Sequence, residues 1–141
     1  MTDQAAAYAH CDAALRAGDK DRWIADLFAP AAHRPALHAL HAFNLEIAGV
    51  RERIHEPMTG EIRLQWWRDA LSGQRPDAEA HPVARALRDA VARYRLPTQA
   101  LIDLIDARVF DLYDDPMPTL ADLEGYCGET SSALVRLAAI V

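Results

Sequence analysis

The sequence predicts an all-α protein, and three observations carry that prediction. Hydrophobic residues make up 51% of the chain, and alanine and leucine dominate them. β-Branched and aromatic residues are sparse, a balance that favours helix over sheet. Apolar residues recur at steps of three and four, most clearly in Arg34–Glu52 and just beyond it. There Ala36, Leu40, Phe43, Ile47, Val50 and Ile54 alternate steps of four and three and fall on one helical stripe. The breaks between such segments centre on proline or glycine, and no segment reads as a strand, a repeat or a low-complexity tract.

In chain order, residues 3–17 form an alanine-rich helix that Gly18-Asp19 closes. Residues 20–28 form a second, stopped by Pro30, with Trp23, Leu27 and Phe28 as its buried face. The central helix starts near Ala32, tolerates Pro35 in its first turn and runs to about His55. Pro57 biases Glu56 out of helix and opens a fourth helix. Met58, Ile62, Leu64, Trp66, Trp67, Ala70 and Leu71 wrap over half of its circumference, which predicts packing on more than one side. The polar loop Ser72–Asp77 connects it to a fifth helix at His81-Pro82, striped by Val83, Leu87, Val91 and Tyr94. Helix six runs from Pro97 to about Tyr113, ended by Pro116 and Pro118. Thr119 through Asp122 reads as an N-terminal box. A seventh helix then carries Leu120, Leu123, Tyr126, Cys127, Thr130, Leu134, Leu137 and Ala138.

At 141 residues the chain is the size of one ordinary domain with a sizeable core. A net charge of −6 argues against nonspecific nucleic-acid binding, which needs basic surface to displace counterions. Cys11 and Cys127 form no CxxC pair and no metal cluster, which fits two reduced thiols. The N-terminus has neither a basic nor an apolar leader region, and no run approaches the ~18–20 apolar residues of a membrane span. A cytoplasmic protein, at most peripheral to a membrane, is the expectation. The last stretch, Ala133–Val141, is apolar to its end. That predicts a cover, either a protein partner or a further half of the fold.

Asp111, Asp114 and Asp115 form the main acidic cluster. On a continuing helix, spacings of three and four would put them on one face, and grouped carboxylate oxygens suit Mg²⁺. If the helix has already ended, Asp114 and Asp115 are solvated turn residues. Glu52 and Glu56 are four apart and read as a solvated face or a shared cation site. His38 and His41 are three apart on the central helix, but no third ligand stands at an obvious spacing. Packed histidines are the simpler reading. No nucleophile motif and no glycine-rich phosphate loop is present. Trp66-Trp67 reads as core, or as the wall of an apolar cavity.

Several segments, in order, resemble the phytoene/squalene synthase family of head-to-head prenyl transferases. They are Asp21-Arg22-Trp23 through Phe28-Ala29-Pro30, Arg34 through Phe43, Glu61 through Leu71, His81 through Ala84, Ile105 through Asp114, and Leu123 through Cys127. The resemblance implies an isoprenoid-synthase-like helical bundle around an apolar cavity, of which about seven helices, the first half, lie in residues 1–141. It implies a cavity lined by Phe43, Ile47, Trp66, Tyr126 and Thr130, holding a prenyl or other apolar ligand. Active members bind Mg²⁺ and substrate diphosphates through two aspartate-rich motifs on facing helices. At the first motif this sequence has Ala48 and Gly49 where the leading aspartates are expected, and Glu52 near the trailing one. Alanine and glycine side chains supply no ligand. Phe43 through Ala48, Arg63 through Trp67 and Thr130 through Leu134 are similar to one branch in particular. That branch includes the mitochondrial complex I assembly factor and its bacterial relatives, and keeps the synthase fold without the full aspartate motifs.

The sequence therefore predicts a non-catalytic binding or assembly role with an apolar, prenyl-type cavity and no obligatory cofactor. The alternative is Mg²⁺-dependent prenyl diphosphate transfer in terpenoid biosynthesis, with Glu52, Asp111, Asp114 and Asp115 as metal and diphosphate ligands. A third reading of the 141-residue form is a piece with no independent function.

Overall fold

The computed structural model describes residues 2–141. Its helices are α1 (Asp3–Gly18), α2 (Lys20–Asp26), α3 (Arg34–Ala48), α4 (Pro57–Leu71), α5 (Pro82–Tyr94), α6 (Thr98–Arg108), α7 (Leu120–Cys127) and α8 (Ala133–Ile140). A π-helical turn, Gly128–Ser132, joins α7 to α8, so the two make one interrupted rod and the described residues form seven rods. Among the described residues there is no strand. Among them, too, no helix is long and apolar enough to cross a membrane.

Local chemistry sets most of the boundaries. Thr2 caps α1 by accepting from the Ala5 amide at 3.0 Å. Asp19 serves two helices: its amide donates to Leu15 and closes α1, and its carboxylate accepts from the Arg22 amide and opens α2. Pro35, Pro57 and Pro82 occupy first turns, where a missing N–H costs nothing. Arg95 ends α5 in the left-handed region at φ 53°, its amide donating to Val91. Thr119 caps α7 by accepting from the Asp122 amide at 3.0 Å, as the sequence predicts.

α3 is the central rod. Every residue from Ala36 through Asn44 is buried, and so is Ile47. α1 and α5 flank α3 and pack on each other, α4 packs on α6, and α8 returns against α3. The predicted stripe is correct in its buried positions: Ala36, Leu40, Phe43, Ile47 and Val50 are all in the core. Gly60 lets α4 close on its neighbours. A Cβ there would meet Leu112 at 2.5 Å and Ile54 at 2.6 Å.

Four expectations are corrected. α3 ends at Ala48 and not near His55, and a short 3₁₀ turn, Arg51–Arg53, follows. Gly49 weakens the helix at that point, and the Arg53 guanidinium donates to the Glu46 carbonyl in its last turn. The inward residue of α2 is Asp26, whereas Leu27 is 39% and Phe28 88% exposed. The α2 backbone stops at Asp26, so those two side chains leave the helix on the turn toward Pro30. α4 is packed on one side only: Gly60, Leu64, Trp67 and Ala70 are buried, while Met58 and Ile62 face out. Helix six stops at Arg108, with Val109–Leu112 a 3₁₀ turn. Asp111 therefore lies outside the α-helix, and Asp114 and Asp115 lie in an irregular segment beyond it.

Candidate functional site

The end of α3 is where the family resemblance expects a metal-binding motif, and the structure shows what stands there. Ala48 is the last helical residue and Gly49 is the cap, its amide donating to the Leu45 carbonyl at 3.1 Å. Glu52 is exposed on the 3₁₀ turn that follows. Arg51, on the same turn, pairs with Asp114 across the surface. That contact brings the turn carrying Glu52 beside the Asp114 segment. Asp115 is exposed in that segment.

Asp111 is spent elsewhere. It accepts from the Tyr126 hydroxyl at 2.5 Å and from Arg108 at 3.2 Å, and Arg108 also donates to the Tyr126 hydroxyl at 3.1 Å. Burial, followed by the hydrogen bond to Asp111, pushes the Tyr126 hydroxyl above its usual range. The three side chains lock the 3₁₀ turn after α6 to α7. Glu52, Asp111, Asp114 and Asp115 thus divide between two places, and arginines hold Asp111 and Asp114. Among the described residues no three His, Cys, Asp or Glu side chains stand close enough to share a metal ion. As arranged, this donor set does not make one Mg²⁺ shell.

The five residues predicted to line a cavity also separate. Phe43 and Ile47 are sealed in the core, and Phe43 meets the Trp67 ring edge-on at 5.2 Å. Trp66 is half-buried against Trp67 and His81. Tyr126 borders a cleft of about 320 Å³ with Phe110 and Met117. Thr130 is buried in the π turn, its hydroxyl donating to the Tyr126 carbonyl at 2.7 Å. That bond and the adjacent Ser131-Ser132 explain the interruption, because short hydroxylated side chains compete for helix carbonyls.

Sequence reasoning missed a buried polar pair. His41 Nδ1 lies 2.9 Å from Asp26 Oδ2, and both residues are buried. The pair ties α2 to α3 and explains why α2 turns a carboxylate inward, since a buried carboxylate needs a partner. Histidine on the central apolar helix was the available signal, but the partner comes from a different helix and no spacing reveals it. One turn away, His38 is also buried, and desolvation lowers its pKa below the ordinary histidine value. Burial pushes the Cys11 thiol up to about 12, with the Glu46 carboxylate adding to the effect, so this cysteine is an inert core residue.

Comparison with known proteins identifies the family. A family model described as squalene/phytoene synthase matches residues 15–141. The chain is 35% identical over 129 residues to NADH dehydrogenase (ubiquinone) complex I, assembly factor 6, of Rattus norvegicus. The match covers 91% of this chain and 39% of that protein. The Homo sapiens protein of the same name is 33% identical over the same shares. The bifunctional protein CrtB/UppS of Streptomyces coelicolor is 32% identical over 137 residues, 94% of this chain and 24% of that protein. The chain thus spans about two fifths of the length of the assembly-factor relatives. Ordered motifs, an all-helical bundle centred on α3 and a family match over nearly the whole chain converge: the chain belongs to the squalene/phytoene synthase family.

Proposed function

We propose that this chain is a non-catalytic member of its family and serves in the assembly of a respiratory NADH dehydrogenase. One observation carries the reading. Ala48 and Gly49 end α3 where the family resemblance expects metal-binding aspartates, and of the remaining carboxylates Asp111 and Asp114 are ion-paired in two separate places. A scaffold that keeps its central helix and loses its ligands is suited to binding and not to prenyl transfer. The names of the relatives, complex I assembly factor 6, support the same direction.

The partner surface in this reading is the α7–α8 rod. Leu120 is 70%, Val135 69% and Ile140 48% exposed there. Side chains of this kind, projecting from neighbouring helices, favour coverage by protein. A protein partner, or helices equivalent to the length by which the relatives exceed this chain, supplies that cover. An apolar ligand of prenyl type then occupies the space between the two layers. The protein works in the cytoplasm, with the Leu27–Ala32 turn, uncharged and led by the exposed Phe28, available to the surface of a membrane.

The second reading is Mg²⁺-dependent prenyl diphosphate transfer, favoured by the approach of the Glu52 turn to Asp114 through Arg51. One experiment separates the two. The gene is deleted in its source organism, and assembled NADH dehydrogenase and C30 and C40 prenyl products are measured in the same cells. Loss of assembled enzyme with unchanged prenyl products is expected. Loss of the prenyl products with normal enzyme assembly overturns the proposal.

A further inference from the structure

A second cleft lies apart from Phe43, Ile47, Trp66, Tyr126 and Thr130 and from the carboxylates Glu52, Asp111, Asp114 and Asp115. α1, α2 and the first turns of α3 border an open cleft of about 340 Å³. It is bordered by Tyr8 and Asp12 of α1, Trp23 of α2, Leu27, and Arg34 and His38 of α3. Its volume is at the small end of the range for ligand pockets.

The hydrogen-bonding capacity of the cleft is unevenly used. The Tyr8 hydroxyl donates to Asp89 at 2.5 Å, and Asp12 accepts from the Trp23 indole at 2.6 Å. Both are therefore engaged. Arg34 uses Nε to donate to the Ala29 carbonyl at 2.9 Å. Its terminal nitrogens make no ion pair with any described carboxylate. His38 is 6% exposed, and its Nε2 is buried with no hydrogen-bond partner among the described residues. A buried polar atom left in this state is unusual in a folded protein. Beside these donors stand the Trp23 ring and the outward-facing Leu27, an apolar wall.

Charge narrows the ligand further. A guanidinium whose Nε is already committed still offers a planar edge that suits a carboxylate. Asp12, in the same cleft, opposes a dianion such as a phosphate monoester. Burial holds His38 toward its neutral form, so it adds no second positive charge.

We propose that this cleft binds a small organic carboxylate with an apolar body. The carboxylate meets the terminal nitrogens of Arg34, and the body lies against Trp23 and Leu27. The proposal is independent of the assembly role and of the prenyl-type cavity, since Phe43, Ile47, Trp66, Tyr126 and Thr130 do not border the cleft.

The probe is 3-phenylpropionate, and its neutral amide is the control. Histidine-labelled protein is titrated and followed by NMR. The expected result is a saturable shift of the His38 ring signals, with the exposed His10 and His55 unchanged and no response to the amide. Arg34→Gln weakens binding by about tenfold or more, the loss of one charge-assisted contact. Because Arg34 also braces the loop before α3, Leu27→Asp is the second variant. It places another carboxylate in the cleft at a position already 39% exposed, and it abolishes the shift while the fold is kept. Equal response to acid and amide, equal shifts at all three histidines, or full binding by folded Leu27→Asp overturns the proposal.

Discussion

α3 and the α7–α8 rod carry the same kind of apolar pattern and meet different fates. On α3 nine consecutive residues, Ala36 through Asn44, are buried, including two histidines and an asparagine. On α7–α8 only one side is covered: Thr130, Ala133, Leu134 and Leu137 are buried, while Leu120, Leu123, Val135 and Ile140 face out. Periodicity specifies which residues share a face. The number of neighbours that arrive decides how many faces are covered. α3 is enclosed by α1, α2, α5 and α8, and the last rod meets the bundle along one side.

The sharpest way to break this comparison is to truncate an equivalent large side chain in each region. Phe43→Ala removes a ring packed on Trp67 and is expected to cost about 3–5 kcal/mol in urea unfolding. A loss below about 1 kcal/mol would mean that α3 is not the centre of the core. Next in size is the polar link between α2 and α3. Asp26→Ala leaves His41 Nδ1 buried without a partner, and a loss of about 1–3 kcal/mol is expected from thermal or urea unfolding. An unchanged midpoint would show that the pair contributes nothing beyond its own desolvation.

Acid distinguishes the two regions as well. Desolvation lowers the pKa of His38 and of His81 in the folded protein, so below about pH 6.5 the unfolded chain binds more protons than the folded one. These two histidines therefore add no pH dependence above that pH, and their contribution to stability falls as pH drops through it. In His38→Leu the urea midpoint declines less steeply with falling pH. A midpoint that rises on acidification contradicts the assignment. The smallest effect belongs to the exposed rod. Leu120→Ser and Val135→Ser change the stability of the chain alone by no more than about 0.5 kcal/mol. A larger loss would place those side chains in a core that the structure does not show.

Much of the fold was legible because local rules set it. Pro35, Pro57 and Pro82 open helices, Asp19 and Thr119 cap them, and the α3 stripe is buried at Ala36, Leu40, Phe43, Ile47 and Val50. The errors occurred where a distant residue decided the outcome. Asp26 points inward because His41 waits on another helix, and Leu27 and Phe28 turn out as a consequence. The early end of α3 depends on Arg53 reaching back to Glu46. The acidic cluster read as one face because helix six was expected to continue. The 3₁₀ turn at Val109–Leu112 instead gives Asp111 to Tyr126 and Arg108, and leaves Asp114 to Arg51. The substitution of Ala48 and Gly49 was visible in the sequence alone, and it remains the main reason for a binding role.

That substitution also defines the decisive measurement. Farnesyl diphosphate is titrated into the protein by calorimetry, with and without Mg²⁺. The account predicts no Mg²⁺-dependent binding, and the same result for Glu52→Ala and Asp111→Ala. Mg²⁺-dependent binding that either variant abolishes would contradict it.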